Sequence, residues 1–291
     1  MKADNIVEEN ANELLARKIV SAWQEEKFLS AERFANFPYR FVGTSPRLGV
    51  RWEIFGGRLG LETYTGHDEP VIMPADKPRI VFWRPVGTPQ KIKGWWRLPL
   101  QSNPIYLTGF TQVDDPAQYF ASWDRRVREY RNQFYKKQAA GDYRIVPVSA
   151  EVFAKDFPRK GKYRAFYDYS MNKIMRCSEL FGPDSHYYEV LDKAGHVRAG
   201  LLATDSPQEN YSRYMVGFRN NENVDQCIGV GIIDHWFREG ISRGIRYFDF
   251  GVFWVPGNPP SWKGFSHFKA QFGVKYIRYG KTLIKFVRAS P

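Results

Sequence analysis

Cysteine is scarce. Cys177 and Cys227 are the only two in 291 residues, and they lie far apart. Two distant thiols offer neither a disulfide framework nor a zinc-ligand spacing, so a reducing cytosol is the expected compartment. Long apolar runs are missing too. The longest, residues 227–233, is far shorter than the roughly 20 residues that cross a bilayer. Glu8, Glu9 and Glu13 stand where a secretory leader needs an apolar core, so export by that route is not expected. No His-Glu-x-x-His, Cys-x-x-Cys or Walker A sequence occurs, which leaves metal-assisted and nucleotide hydrolysis without support. Acidic residues are outnumbered, 31 against 43 Lys and Arg, for a net charge of +12. That imbalance points to an anionic partner: RNA, a nucleotide-linked precursor, CoA or an acidic membrane face.

What is plentiful is apolar. Hydrophobic residues make up 43% of the chain, ample for a core, and the length suits two domains. Residues 5–34 read as one or two amphipathic helices, with Leu14, Leu15, Ile19, Val20 and Trp23 on the buried face. Between 39 and 112, short β-prone runs at 50–55, 80–83 and 105–110 are broken by Gly and Pro clusters. Asp114, Asp115 and Pro116 predict a helix start, and the helix runs to about Gln138. Trp123, Val127, Tyr130 and Phe134 fall on one of its faces, Arg125, Arg128 and Asn132 on another. Then come a strand at 143–148, helices at 149–156 and 163–181, and a hairpin of 186–191 and 197–204 across a turn ending at Gly195. A strand at 211–218 comes next.

The most informative stretch is 223–286. Ile228, Ile232, Ile233, Trp236, Phe237 and Ile241 recur at helical spacing, and Gly244 supplies the stop. Residues 245–250 are apolar on both faces, as in a strand covered on both sides; a Pro/Gly loop, a short helix at about 264–273 and one last strand are expected after it. Gln226-x-x-Gly229-x-Gly231 stands at the helix start, where bare glycines let backbone N–H groups approach an anion. Close packing of a helix also wants glycine there. Gly240-Ile-Ser242-Arg-Gly244 matches a hydrolase pattern but sits between helix and strand, the reverse of the order that chemistry needs.

The Gln-x-x-Gly-x-Gly pattern resembles the pyrophosphate loop of the GNAT acyltransferases. Phe248-Asp249-Phe250-Gly251, followed by Gly264-Phe265-x-x-Phe268-Lys269-x-x-Phe272-Gly273, is similar to the C-terminal end of the FemABX-like branch of that superfamily. The likeness runs over about residues 143–291. It implies an α+β fold: a GNAT-like mixed sheet flanked by helices, in two lobes with the first degenerate. The expected domains are 1–140, ending in the basic helix, and 141–291. It implies amide formation, an amino acid passing from aminoacyl-tRNA to an amine of a nucleotide- or lipid-linked peptidoglycan precursor. FemABX-like proteins generally lack the glycine loop, so an acyl-CoA-dependent N-acyltransferase is the alternative. A non-catalytic RNA-binding protein on a degenerate scaffold is a third reading. No tightly bound cofactor and no metal are expected, aminoacyl-tRNA or acyl-CoA serving as co-substrate.

Lys269 matches the family's Phe-Lys lysine, which the resemblance puts near the donor phosphate or the reacting carbonyl. A cation there stabilises charge developing on an oxyanion or a leaving hydroxyl. Lys269 follows the apolar Phe265/Phe268/Phe272 stripe, and the alternative is a surface lysine on a short amphipathic helix. Asp249 lies among apolar neighbours, an expensive place for a carboxylate unless it is paired. It is a candidate to orient Lys269 or act as general base, or a structural partner for a nearby Arg. His267 is an alternative base. Gln226, Gly229, Gly231 and Phe268 are the expected donor-binding residues. Arg125, Arg128, Arg131 and Trp254 are the expected acceptor or phosphate contacts.

Overall fold

The computed structural model describes residues 40–45, 49–54, 58–66, 69–72, 76–85, 92–97, 106–158, 164–220, 225–256, 258, 260 and 262–289. The helices expected at 5–34 lie outside these residues. The fold is α+β, with two mixed sheets. By internal contacts the chain forms two units, and the division is not a single cut. Of the described residues, one unit takes those up to 108 and those within 252–266 and 275–289; the other takes those within 109–251 and 267–274.

Of the short β-prone runs, those at 50–55 and 80–83 become β2 (Gly49–Ile54) and β4 (Arg79–Pro85) of the first unit's sheet, and the run at 105–110 becomes a strand of the second sheet. In the first sheet β1 (Arg40–Ser45), β3 (Leu59–Gly66) and β5 (Trp96–Arg97) join β2 and β4 without having been singled out in the sequence. The sheet is completed by β13 (Leu283–Val287), in the order β1-β2-β3-β4-β13-β5. Only β3 and β4 pair in parallel; the other neighbours are antiparallel. Alternation along β4 drives Val81 and Trp83 into a core shared with Tyr64, Trp95 and Leu283. Arg79 and Glu62 are buried together as an ion pair at 3.0 Å.

The second sheet has seven strands. Six of them run in the order β6 (Tyr106–Gln112), β11 (Tyr247–Phe253), β10 (Tyr211–Arg219), β9 (Val197–Ser206), β8 (Ser185–Asp192) and β7 (Tyr143–Pro147). The 192–195 turn works as the hairpin predicts, with Gly195 at φ +84° and Asp192 capping the N–H groups of Ala194 and His196. One face carries α2 (Ala150–Asp156), which starts at the Ser149 cap, and α3 (Arg164–Phe181). Tyr187 reaches that side, stacking edge-on to Phe153 and donating to the Ile174 carbonyl at 2.7 Å. The other face carries α4 (Gln226–Ser242), whose Trp236 and Phe237 pack on Phe248 and Phe250.

Two expectations need correction. The helix predicted from Asp114 to Gln138 is two pieces. Asp115 does cap, but it opens only a single 3-10 turn, Pro116–Gln118. The helix proper, α1 (Arg125–Ala139), begins after Asp124. The break lets Trp123 bury edge-on against Phe237 and Phe272, contacts a continuous helix would not deliver. The second concerns the C-terminus. In place of one last strand after α5 (Trp262–Ala270) there are two, β12 (Lys275–Tyr279) and β13.

Candidate active site

β10 and β11 run parallel and pair over 211–213 against 247–249. Beyond those rungs β10 stays with β9 as far as Arg219, while β11 runs on to Phe253 without it. The result is a fork. A bulge in β10 falls between Tyr214 and Val216, and Gly251 in β11 has φ +72°. Both devices sit where the strands part: a bulge bends its strand, and only glycine takes that φ without strain.

Lys269 arrives at this fork from the last turn of α5. It is buried, at 9% exposure, and its Nζ donates to the Phe250 carbonyl at 2.6 Å. The ammonium also lies 4.7 Å from the centroid of the Tyr214 ring, close enough for a cation–π attraction. Tyr214 holds this place because Gly217 has no side chain: a Cβ there would lie 1.8 Å from the tyrosine oxygen. Burial pushes the Tyr214 hydroxyl well above its usual range, so it stays neutral. The fork therefore holds a buried cation and a buried carbonyl beside a half-buried, neutral phenol, where charge–charge forces are stronger than in bulk water.

Asp249 stands on the opposite face of β11 from Phe248 and Phe250, and is 1% exposed. It accepts from the Tyr211 hydroxyl and from the Gly251 N–H at 2.6 Å, and pairs with Arg213 at 3.5 Å. Arg213 is its cross-strand partner on the last shared rung. This carboxylate therefore ties the two prongs of the fork together at their base.

The glycine pattern lies inside α4, not in a loop before it. Gln226 accepts from the Tyr130 hydroxyl at 2.6 Å. Gly229 faces the Phe268 ring, with a Cβ contact of 3.4 Å, and Gly231 faces the Phe134 ring, where a Cβ would come within 2.3 Å. Past the first turn, helical N–H groups are spent in the helix's own ladder. The geometry thus gives both glycines, and Phe268, a packing use. A graded outcome is expected. Gly231→Ala should cost about 1–3 kcal/mol, because Phe134 is fully buried and has nowhere to move. Gly229→Ala should be neutral or stabilising by up to ~1 kcal/mol, since the contact is ordinary and helix propensity improves. Urea midpoints of the two variants check this, and equal stability would remove the packing account.

The three arginines of α1 separate. Arg125 is exposed and bridges to Glu129 at 2.8 Å; Arg128 is exposed. Arg131 turns inward to Asp234 at 2.6 Å and lies 4.3 Å from the Phe120 ring centroid. Asp234 itself is fully buried and also accepts from Tyr119 at 2.7 Å and from Tyr135. Burial first, then the Asp234 charge, pushes the Tyr135 hydroxyl up to about 12. Asp234 escaped notice in the sequence, although a lone carboxylate between Ile233 and Trp236 was a signal to pursue. In the other unit, Trp254 donates from Nε1 to the Asn258 carbonyl at 3.1 Å, with the Lys263 ammonium 4.4 Å above its ring. His267 is exposed.

Solved structures share this fold. FemX matches with a TM-score of 0.63 at 12% identity, covering 94% of this chain and 95% of that one. L-PGS from Bacillus licheniformis gives 0.51 at 12% identity, covering 94% and 92%. A conserved protein of unknown function from Bacteroides thetaiotaomicron gives 0.56 at 9% identity, covering 94% and 97%. No protein-family model and no curated protein matches the chain.

Proposed function

We propose, from the fold it shares with FemX, that this chain is an acyltransferase forming amide bonds, and that it moves an amino acid from aminoacyl-tRNA to an amine of a peptidoglycan precursor. The observation that carries the reading is the buried Lys269 ammonium at the fork, in the Phe-Lys pattern that resembles the FemABX-like branch. In the proposed reaction a neutral amine attacks the ester carbonyl of the donor. A nitrogen–carbon bond forms, the ester carbon–oxygen bond breaks, and the amine's proton leaves with the ribose hydroxyl of the tRNA. Lys269 stabilises negative charge on the tetrahedral oxygen and on the departing one. No enzyme-bound acyl group is needed, because the donor is already activated and positioning supplies much of the rate. Asp249 holds β10 to β11 and so fixes where Lys269 and Tyr214 meet.

The net charge of +12 suits a polyanionic donor. The acyl-CoA alternative leaned on Gly229 and Gly231, which packing already explains. The test is transfer of a labelled amino acid from charged tRNA into a precursor peptide. Transfer should occur, fall steeply as salt rises, and not be replaced by acyl-CoA. Arg125→Gln with Arg128→Gln should flatten the log–log salt dependence by up to about two, close to one for each phosphate no longer neutralised. Turnover of acyl-CoA with none of charged tRNA would replace this reading with the CoA one. RNA binding with turnover of neither would leave a binding protein.

A further inference from the structure

Among the described residues the two most exposed large apolar side chains touch each other. Trp96 is 57% exposed and Phe286 60%, with ring centroids 6.2 Å apart. They sit on neighbouring strands at the edge of the first sheet, β5 and β13, where Ile284 is in register with Trp96. Strand alternation puts Ile284 and Phe286 on the face away from Leu283, which is buried in the core. The adjacent Trp95 points the other way. It packs edge-on to Trp83, 5.5 Å between centroids, and donates from Nε1 to Glu69 at 2.6 Å. The exposed pair is therefore not core that failed to close: of two adjacent indoles, one is buried and the other faces solvent.

The surroundings are basic. Lys93 and Arg97 flank Trp96 in sequence, Lys281 and Arg288 flank β13, and all four are exposed. Arg288 lies two residues beyond Phe286 and so on the same face. The nearby acidic Glu69 is already engaged by Trp95 and, at 4.0 Å, by Lys285.

We propose that this patch docks the protein on the surface of an anionic phospholipid bilayer. Three arguments favour lipid over protein. Aromatic rings settle at the headgroup level, and cationic side chains are drawn to anionic headgroups, so the patch carries both of the signals that stable peripheral binding needs. The two rings expose about 250 Å² together, well short of the roughly 800 Å² per partner of a stable protein interface. And β5 has two residues, too short an edge to recruit a strand from a second copy. No helix among the described residues is long and apolar enough to cross a membrane, so the contact is peripheral. The inference does not depend on which acyl donor the fork takes.

The experiment is sedimentation of the full chain with vesicles of phosphatidylcholine alone, or with about a quarter phosphatidylglycerol. Binding is expected only to the anionic vesicles, weakening as salt rises, with a blue shift of tryptophan emission. Trp96→Ser with Phe286→Ser should lower the partition coefficient at least about tenfold. Arg288→Glu, which leaves both rings in place, should lower it as well. Val152→Ser, at an exposed apolar position elsewhere, should not. Circular dichroism confirms that each variant is folded. The proposal is overturned if the wild type ignores anionic vesicles, if it binds both vesicle types equally at all salt concentrations, or if the folded double variant binds undiminished. It is also overturned if light scattering shows a dimer that the double variant abolishes, which would make the patch a contact between copies.

Discussion

Lys269→Met is expected to lower turnover by roughly two orders of magnitude or more in a protein that still folds. Methionine keeps the bulk of the stem, so the apolar contacts of α5 survive. The cation is what goes. In bulk water a single lysine would contribute little, but this one is 9% exposed and stands over an aromatic ring at the fork. Charge developing on a substrate oxygen there meets a positive group with little water to screen it. The substitution also has a structural consequence that a surface lysine would not show. The Phe250 carbonyl loses its Nζ donor, which costs about 1–3 kcal/mol if nothing replaces it. The two effects separate cleanly in measurement. Turnover is read well below the variant's melting midpoint, and kcat is compared with KM. A fall in kcat at little-changed KM is the signature of an interaction made in the transition state. Near-normal kcat in a folded variant that has lost stability would leave Lys269 a structural residue and take it out of the site.

The lysine also shows where sequence reading stops. Its residue type and its place in the Phe-Lys pattern were visible, but a position near the end of a short amphipathic helix reads as exposed. Burial came from the fork, and the fork is made by a bulge at Tyr214 and a positive φ at Gly251, neither of which has a period to detect. The elements from Tyr143 to Phe253 were legible for the opposite reason. Their turns carry local chemistry, such as the Ser149 cap and the Asp192–Gly195 turn, and their apolar periods are clean. Residues at 114–138 misled because Asp115 really is a cap, and only distant partners of Trp123 decide that the helix pauses. The pairing of β13 with β4 and β5 joins segments far apart in the chain, and no local pattern encodes it. The glycines of α4 were ambiguous in principle: the same bare Cα admits an anion or a phenyl ring, and the ring in question belongs to another helix.

Asp234→Ala should be the most destabilising of these substitutions, by about 3–5 kcal/mol. The carboxylate is fully buried between α1 and α4 and is the shared acceptor of Arg131, Tyr119 and Tyr135. Removing it leaves a guanidinium whose side chain is 18% exposed without its counter-ion, and two phenols without their acceptor. Asp234→Asn keeps an acceptor oxygen and should lose less. The decisive comparison is a double-mutant cycle. If the loss is mainly the stranded Arg131 charge, Arg131→Met in the Asp234→Ala background should restore part of the stability. The coupling should then exceed roughly 1 kcal/mol, within the range found for residues in one network. Additive losses, or a cost below about 1 kcal/mol for Asp234→Ala alone, would mean that the buried pair is not what holds α1 on α4. Function supplies a second reading of the same variant. None of these groups bonds to Lys269, Phe250 or Tyr214, so turnover measured well below the new midpoint should stay within a few-fold of wild type. Arg125 and Arg128, by contrast, ride on the helix that Asp234 anchors. A variant whose α1 has loosened should bind RNA less tightly at low salt, while the fork itself remains competent.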